Sequence, residues 1–205
     1  STKQIRGFDL SSENVLGIQQ DQNGFVWIAT DKVIKYSDGI KEENIPDSIN
    51  QALRGHKQVS VDQDGWVWAF QTRGVPKLFY LSEGKWHTAP IGLGDKASTT
   101  AQANFQMQVA GTGATKHLNI AIDYEVLIQN LGGEVLFHAT AEPDQTGRFV
   151  SFFISKEGTC YFLFEKGVYV AGESGLEPVS VRLPDRTLDI VRVVHNEADG
   201  YYYYL

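Results

Sequence analysis

Apolar and polar residues alternate in short bursts along the chain, and an apolar residue rarely recurs every three or four positions. Stretches at 15–20, 25–30, 33–36, 58–61 and 77–81 are four to six residues long. They are rich in Val, Ile, Phe, Tyr and Trp, and Gly, Asp or Asn bound them. This is the pattern of half-buried strands joined by tight turns. The same pattern continues at 105–109, 118–122, 125–128, 134–138, 150–155, 167–170, 190–194 and 201–204. One helical candidate, 47–53, is short and poorly patterned. The expected class is all-β.

The strands come in repeats. Asp21-Gln-Asn-Gly24-Phe-Val-Trp27 returns as Asp62-Gln-Asp-Gly65-Trp-Val-Trp68, with the two turn glycines 41 positions apart. Each copy follows an alternating strand and precedes another strand with its own turn, Asp38-Gly39 in the first and Glu83-Gly84 in the second. Downstream the spacing persists as the motif decays. Gly158 and Gly200 stand 42 apart, and the 93 positions from Gly65 to Gly158 leave room for one irregular unit with a turn near Gly111-Thr-Gly113.

Asp-x-Asx-Gly favours a tight hairpin turn, in which Gly supplies a positive φ. Strands 25–30 and 201–204 are apolar at successive positions, so both of their faces ask to be buried. A sheet stacked between two like neighbours satisfies that demand, whereas a two-layer sandwich leaves one face wet. The expected fold is therefore a β-propeller of about five blades of about 40 residues, in one domain spanning 1–205. The units fall near 11–50, 51–95, 100–143, 146–183 and 186–205 joined by 1–10. The last unit carries two strands. Either the segment 5–10 closes it as an outer strand, or the chain is a fragment of a longer propeller.

Composition narrows the function. The 205 residues carry a net charge of -7, which opposes binding to phosphate backbones, so no nucleic-acid partner is expected. Hydrophobic residues at 42% exclude a disordered chain. Cys160 is the sole cysteine and lies in the run Cys160-Tyr-Phe-Leu-Phe164, which makes it a buried structural thiol. No apolar run approaches the roughly 18 residues of a membrane helix, and the start Ser1-Thr-Lys-Gln is polar. The chain reads as soluble, either cytoplasmic or a fragment of an extracytoplasmic sensor.

Catalytic and metal motifs fail on spacing. Asp62-x-Asp64-Gly65 places its Gly at position 4 where a calcium loop needs position 6, and reads as a hairpin turn. The five His residues share no ligand spacing, so no metal or cofactor is expected. The segment 111–116 lacks the phosphate-loop pattern and reads as a flexible turn. Gly172-Glu-Ser174-Gly175 is one residue short of a nucleophile elbow and reads as a surface turn. Asp123 and Glu125, read as sharing one face of a strand, offer a carboxylate pair of the kind a propeller hydrolase or lyase needs, against the commoner reading of an exposed edge pair. The acidic stretch 38–47 reads as a solvated loop, and 201–204 as an inner strand. The informative set is aromatic. Trp27 and Trp68 are expected in blade cores, while Trp66, Trp86 and His87 sit beside turns where an indole face can stack on a sugar ring.

The stretch 18–36, Ile18-Gln-Gln-Asp-Gln-Asn-Gly-Phe-Val-Trp-Ile-Ala-Thr-Asp-Lys-Val-Ile-Lys-Tyr36, resembles the two-component regulator propeller repeat, with Ala29 where that family usually has Gly. His56-Lys-Gln-Val-Ser-Val-Asp-Gln-Asp-Gly-Trp-Val-Trp68, followed by Gly84-Lys-Trp86, is similar to the tectonin repeat of propeller lectins. The good matches cover about a third of the chain. The first resemblance implies a sensory part of a bacterial signalling protein, and the second a soluble lectin that binds sugars between blades. Neither implies a catalytic residue. The expected function is a non-enzymatic binding module for a glycan or small ligand, with Trp66, Trp86 and His87 as contacts. The alternative is a sensory or protein-interaction fragment that self-associates.

Overall fold

In a computed structural model, which describes residues 8–53, 55–92, 105–155, 158–180, 193–196 and 201–204, the two Asp-x-Asx-Gly turns each close a hairpin. Oδ1 of Asp21 accepts the backbone N–H groups of Asn23 and Phe25 at 2.9 and 3.0 Å, and its Oδ2 accepts the indole Nε1–H of Trp27 at 2.9 Å. The second copy repeats this bond for bond. Oδ1 of Asp62 accepts from the backbone of Asp64 and Trp66, each at 3.0 Å, and Oδ2 accepts from Nε1 of Trp68 at 2.8 Å. Gly24 and Gly65 sit at φ +86° and +78°, a left-handed conformation that glycine adopts without a Cβ clash.

Each copy opens a four-stranded antiparallel meander in chain order. The first holds β1 (Val15–Gln20), β2 (Val26–Thr30), β3 (Ile34–Ser37) and β4 (Glu42–Asn44). The second holds β5 (Lys57–Val61), β6 (Val67–Gln71), β7 (Leu78–Ser82) and β8 (Lys85–Thr88). A short helix, α1 (Asp47–Ala52), joins them where the sequence placed its helical candidate. Asn50 on α1 accepts the N–H of Ile34 and donates to the carbonyl of Ile45, tying the connection to the first sheet.

Two more meanders follow. One comprises β9 (Phe105–Ala110), β10 (His117–Ile122), β11 (Glu125–Asn130) and β12 (Val135–Thr140). After α2 (Pro143–Thr146) come β13 (Phe149–Ile154), β14 (Cys160–Phe164), β15 (Gly167–Gly172) and β16 (Gly175–Val179). β17 (Val193–Asn196) and β18 (Tyr201–Tyr204) pair as a two-stranded sheet. The chain divides into two units, residues 1–105 and 106–205.

In the first unit, Trp27, Ala29 and Ile34 of the first sheet meet Val59, Val67 and Ala69 of the second, with Ile45, Ile49 and Leu53 of the connection in the same core. In the second unit, Val126 and Ala121 pack with Phe152, Cys160, Phe162 and Phe164. The other face of the β13–β16 sheet buries Leu163 and Val168 under Val150, Phe153 and Tyr161. Two buried faces on one sheet are what the continuous apolar strands require. Cys160 is buried in this core, and burial pushes its thiol above the usual range.

Several expectations change. Asp123 is not on a strand: it occupies the two-residue turn between β10 and β11 with φ +53°, while Glu125 starts β11 and accepts from Thr140 and contacts His138. The carboxylate pair therefore has no common strand face. The stretch 38–47 is not all loop. It contains β4, because Glu42 answers the buried Lys35 at 3.0 Å, alongside Glu13 at 2.8 Å. The segment 111–116 contains a single 3-10 turn, Gly113–Thr115, that joins β9 to β10. Residues 5–7 of the proposed closing segment lie outside the described residues, and 8–10 form no strand.

Replacing Asp62 by Ala removes the turn acceptor and strands the fully buried indole N–H of Trp68. The expected loss is about 2–4 kcal/mol in urea denaturation, with Asp62→Asn intermediate because its amide nitrogen offers the indole no lone pair. An Asp62→Ala protein as stable as the parent would remove this turn from the account. Acid provides a second check. Burial alone would raise the Glu13 carboxyl, but hydrogen bonds from Lys35 and Thr30 and the Lys35 charge outweigh it and hold it below the usual range. Folded protein thus binds this proton more weakly than the unfolded chain. The stabilisation is present above about pH 4.3 and is lost as pH falls through the lowered value. Glu13→Gln is expected to flatten that part of the acid limb when denaturation midpoints are followed against pH.

Candidate functional site

A cavity of about 720 Å³ opens in the first unit, at the turn end of the interface between its two sheets. Its volume falls within the range of small-molecule sites. One wall comes from the first sheet. Trp27 on β2 and Tyr36 on β3 are cross-strand partners, and their rings stack at 4.6 Å and 26°. Phe25, just before β2, meets Tyr36 edge-on at 5.9 Å. Trp86 on β8 stands opposite, nearly perpendicular to Trp27 at 6.4 Å and 76°. Val67 and Leu81 continue that second wall, and Ile45 and Pro46 close the cavity beside α1.

Polar groups form the rest of the lining. They come from Asp21, Asp64, Glu83, Asn23, Asn44 and Ser82. Glu83 and Gly84 are the two central residues of the β7–β8 hairpin, both at positive φ (+50° and +72°), as a two-residue turn of this hand requires. Tyr36 donates to Glu43 at 2.7 Å, and Lys41 holds the other oxygen of Glu43. The hydrogen bond to Glu43, burial and the charge of Glu43 raise the Tyr36 phenol above its usual range, so it stays protonated at neutral pH. Lys41 and Tyr36 in turn hold the Glu43 carboxyl low.

Of the three residues singled out from the sequence, Trp66 and Trp86 line this cavity and His87 does not. Strand alternation is the reason. Trp86 and His87 are neighbours on β8 and point to opposite faces. Trp86 pairs with Leu81 on the face that meets the first sheet, whereas His87 pairs with Tyr80 and stacks on it at 4.9 Å and 18°. Trp66 lies nearly parallel to Tyr80 at 5.2 Å and reaches the cavity from its rim. Trp27 and Trp68 are both buried, yet Trp27 is also a cavity wall. Phe25, Tyr36 and Asn44 escaped sequence reasoning. The internal repeat held a signal for Phe25, which occupies the motif position of Trp66.

The likeness of the chain to known proteins now has a geometric frame. A model of the two-component regulator propeller family matches residues 9–32, which include the first turn, Trp27 and the approach to β3. The second copy, Asp62 to Trp68, lies outside that match, which therefore lends no support to the tectonin resemblance. No curated protein matches significantly. Among solved structures, virginiamycin B lyase from Staphylococcus aureus is similar at 14% identity and a TM-score of 0.66, over 100% of this chain and 64% of the lyase. The extracellular domain of a putative one component system from B. thetaiotaomicron is similar at 11% identity and a TM-score of 0.66, over 93% of this chain and 26% of that one. That of a putative hybrid two component system from the same organism matches at 14% identity and 0.58, over 93% and 27%.

The chain has a propeller fold. Its four-stranded meanders are blades, and the cavity is an inter-blade site of the first two. The propeller spans under two thirds of the lyase and about a quarter of the extracellular domains. At these identities the likeness is one of fold. Among the described residues no helix is long and apolar enough to cross a membrane.

Proposed function

We propose that this propeller is a non-enzymatic binding module that takes a glycan, or a small ligand of similar shape, in the cavity between its first two blades. One observation carries the reading: aromatic walls from two blades, Trp27 with Tyr36 and Trp86 across from them, face a lining of carboxamides, carboxylates and a hydroxyl. A pyranose offers the matching surface, apolar C–H faces for the rings and hydroxyls for the polar groups. Trp86 is the principal stacking platform, because one face of Trp27 is already covered by Tyr36 and Trp66 is laid against Tyr80. His87 serves the packing of its own blade rather than the ligand.

A second reading fits beside the first. The match to the regulator propeller family and the likeness to extracellular domains support a sensory role within a larger signalling protein. In that setting the cavity is the sensing site and the exposed apolar residues of β1, Val15, Leu16 and Ile18, offer a surface for a protein partner or a second copy.

A glycan array identifies the ligand, and titration of the best hit followed by tryptophan fluorescence measures it. Trp86→Ala is expected to weaken binding about tenfold or more, the equivalent of roughly 1.4 kcal/mol, with the fold retained by circular dichroism. His87→Ala is expected to bind as the parent does. A folded Trp86→Ala protein with parental affinity would overturn the cavity as the binding site.

A further inference from the structure

We infer that the ligand of this cavity carries a protonated amine, so that within the glycan reading, on which this inference rests, the ligand is an amino-bearing saccharide. Two independent features of the lining converge on it. The first is the ring geometry. Trp27 and Trp86 meet at 76° with 6.4 Å between centroids, and Phe25 stands edge-on to Tyr36 beside them. Rings set at angles around one space are not closed into a single stack, and the faces they leave uncovered are their electron-rich surfaces. A cation within about 6 Å of such faces is attracted by their quadrupoles, most strongly by indole.

The second feature is charge. Among the described residues that line the cavity, Asp21, Asp64 and Glu83 are acidic and none is Lys, Arg or His. Asp21 is engaged with the turn and with Nε1 of Trp27. Its negative charge lies at the edge of the same indole and adds to the potential that a cation would meet. Glu83 sits on the exposed tip of the β7–β8 hairpin, where it can meet a ligand at the mouth of the cavity without a change in the core. An anionic saccharide entering here meets three carboxylates of its own sign, and the repulsion opposes its binding. A neutral saccharide keeps the stacking but gains nothing from the charge. An ammonium group gains both terms.

The test uses the intact chain and four probes, with affinities from calorimetry at low and at moderate salt. The probes are the β-1,4-linked glucosamine tetrasaccharide, its fully N-acetylated counterpart, tetragalacturonate, and choline as an ammonium without a sugar ring. The expected order is glucosamine tetramer at least tenfold tighter than the acetylated tetramer, with no binding of tetragalacturonate. The preference is expected to shrink as salt rises. Glu83→Gln is expected to reduce the preference severalfold while affinity for the acetylated tetramer is kept. Equal or tighter binding of the acetylated tetramer, or binding of tetragalacturonate, overturns the inference and leaves the glycan reading standing. Choline binding as tightly as the glucosamine tetramer supports cation selection and removes the sugar. Binding of none of the four overturns both.

Discussion

The first unit depends on one carboxylate per repeat. Asp21 and Asp62 each accept two turn N–H groups and one indole N–H, and thereby settle three matters together. They fix the turn that starts the second strand. They satisfy a tryptophan donor that burial would otherwise leave without water. They set the rotamer of that tryptophan, and the position of its ring decides where the neighbouring Tyr36 or Tyr80 can stack. Later turns keep the backbone pattern with weaker acceptors. Asn130 and Ser155 stand in the aspartate position, each with the same pair of turn hydrogen bonds and a glycine at positive φ three residues on. All four tryptophans of the chain lie before residue 87, so these turns have no indole to hold and an ionised acceptor is no longer required.

Strand alternation turns that local order into a site. Cross-strand partners share a face. The pairs Trp27–Tyr36 and Leu81–Trp86 therefore bring four side chains to the interface of the first two blades, two from each side. The apolar core fills most of that interface with Trp27, Ala29, Val59, Val67 and Ala69. Near the turns the filling stops. There the chain supplies Asn23, Asn44, Ser82 and Glu83 in place of apolar side chains, and a cavity with rings for walls and polar groups around them remains. The same aromatics thus pack the blades and wall the cavity, and a tryptophan buried at 4% exposure, Trp27, still lines it.

The propeller fold leaves the chemistry of each inter-blade space to the residues of its two walls. The lyase and the extracellular domains share the architecture at 11–14% identity, so their blades carry different side chains from these. In this chain the first inter-blade space combines aromatic density with acidic residues.

Much of this was written in local sequence. The Asp-x-Asx-Gly turns, the spacing near 41 residues, the strands apolar on both faces and the single short helix all follow from residues a few positions apart. The forces that fix them, turn hydrogen bonds, positive φ at glycine and period-2 burial, act over the same range. Trp66 and Trp86 were legible as turn-adjacent aromatics for that reason. Tertiary structure decided the rest. Whether Trp86 or its neighbour His87 faces the cavity depends on the pairing of β7 with β8, and reading the first as a contact and the second as packing needs the partner blade in place. Asp123 and Glu125 looked like a strand pair until the β10–β11 register put Asp123 in the turn and Glu125 at the start of the strand. The acidic stretch near residue 42 looked like loop because its partner, Lys35, is buried on a different strand. A side chain's local preference is set by its sequence neighbours, but its neighbours in space are set by register and by which sheet packs on which, and those are properties of the assembled blades.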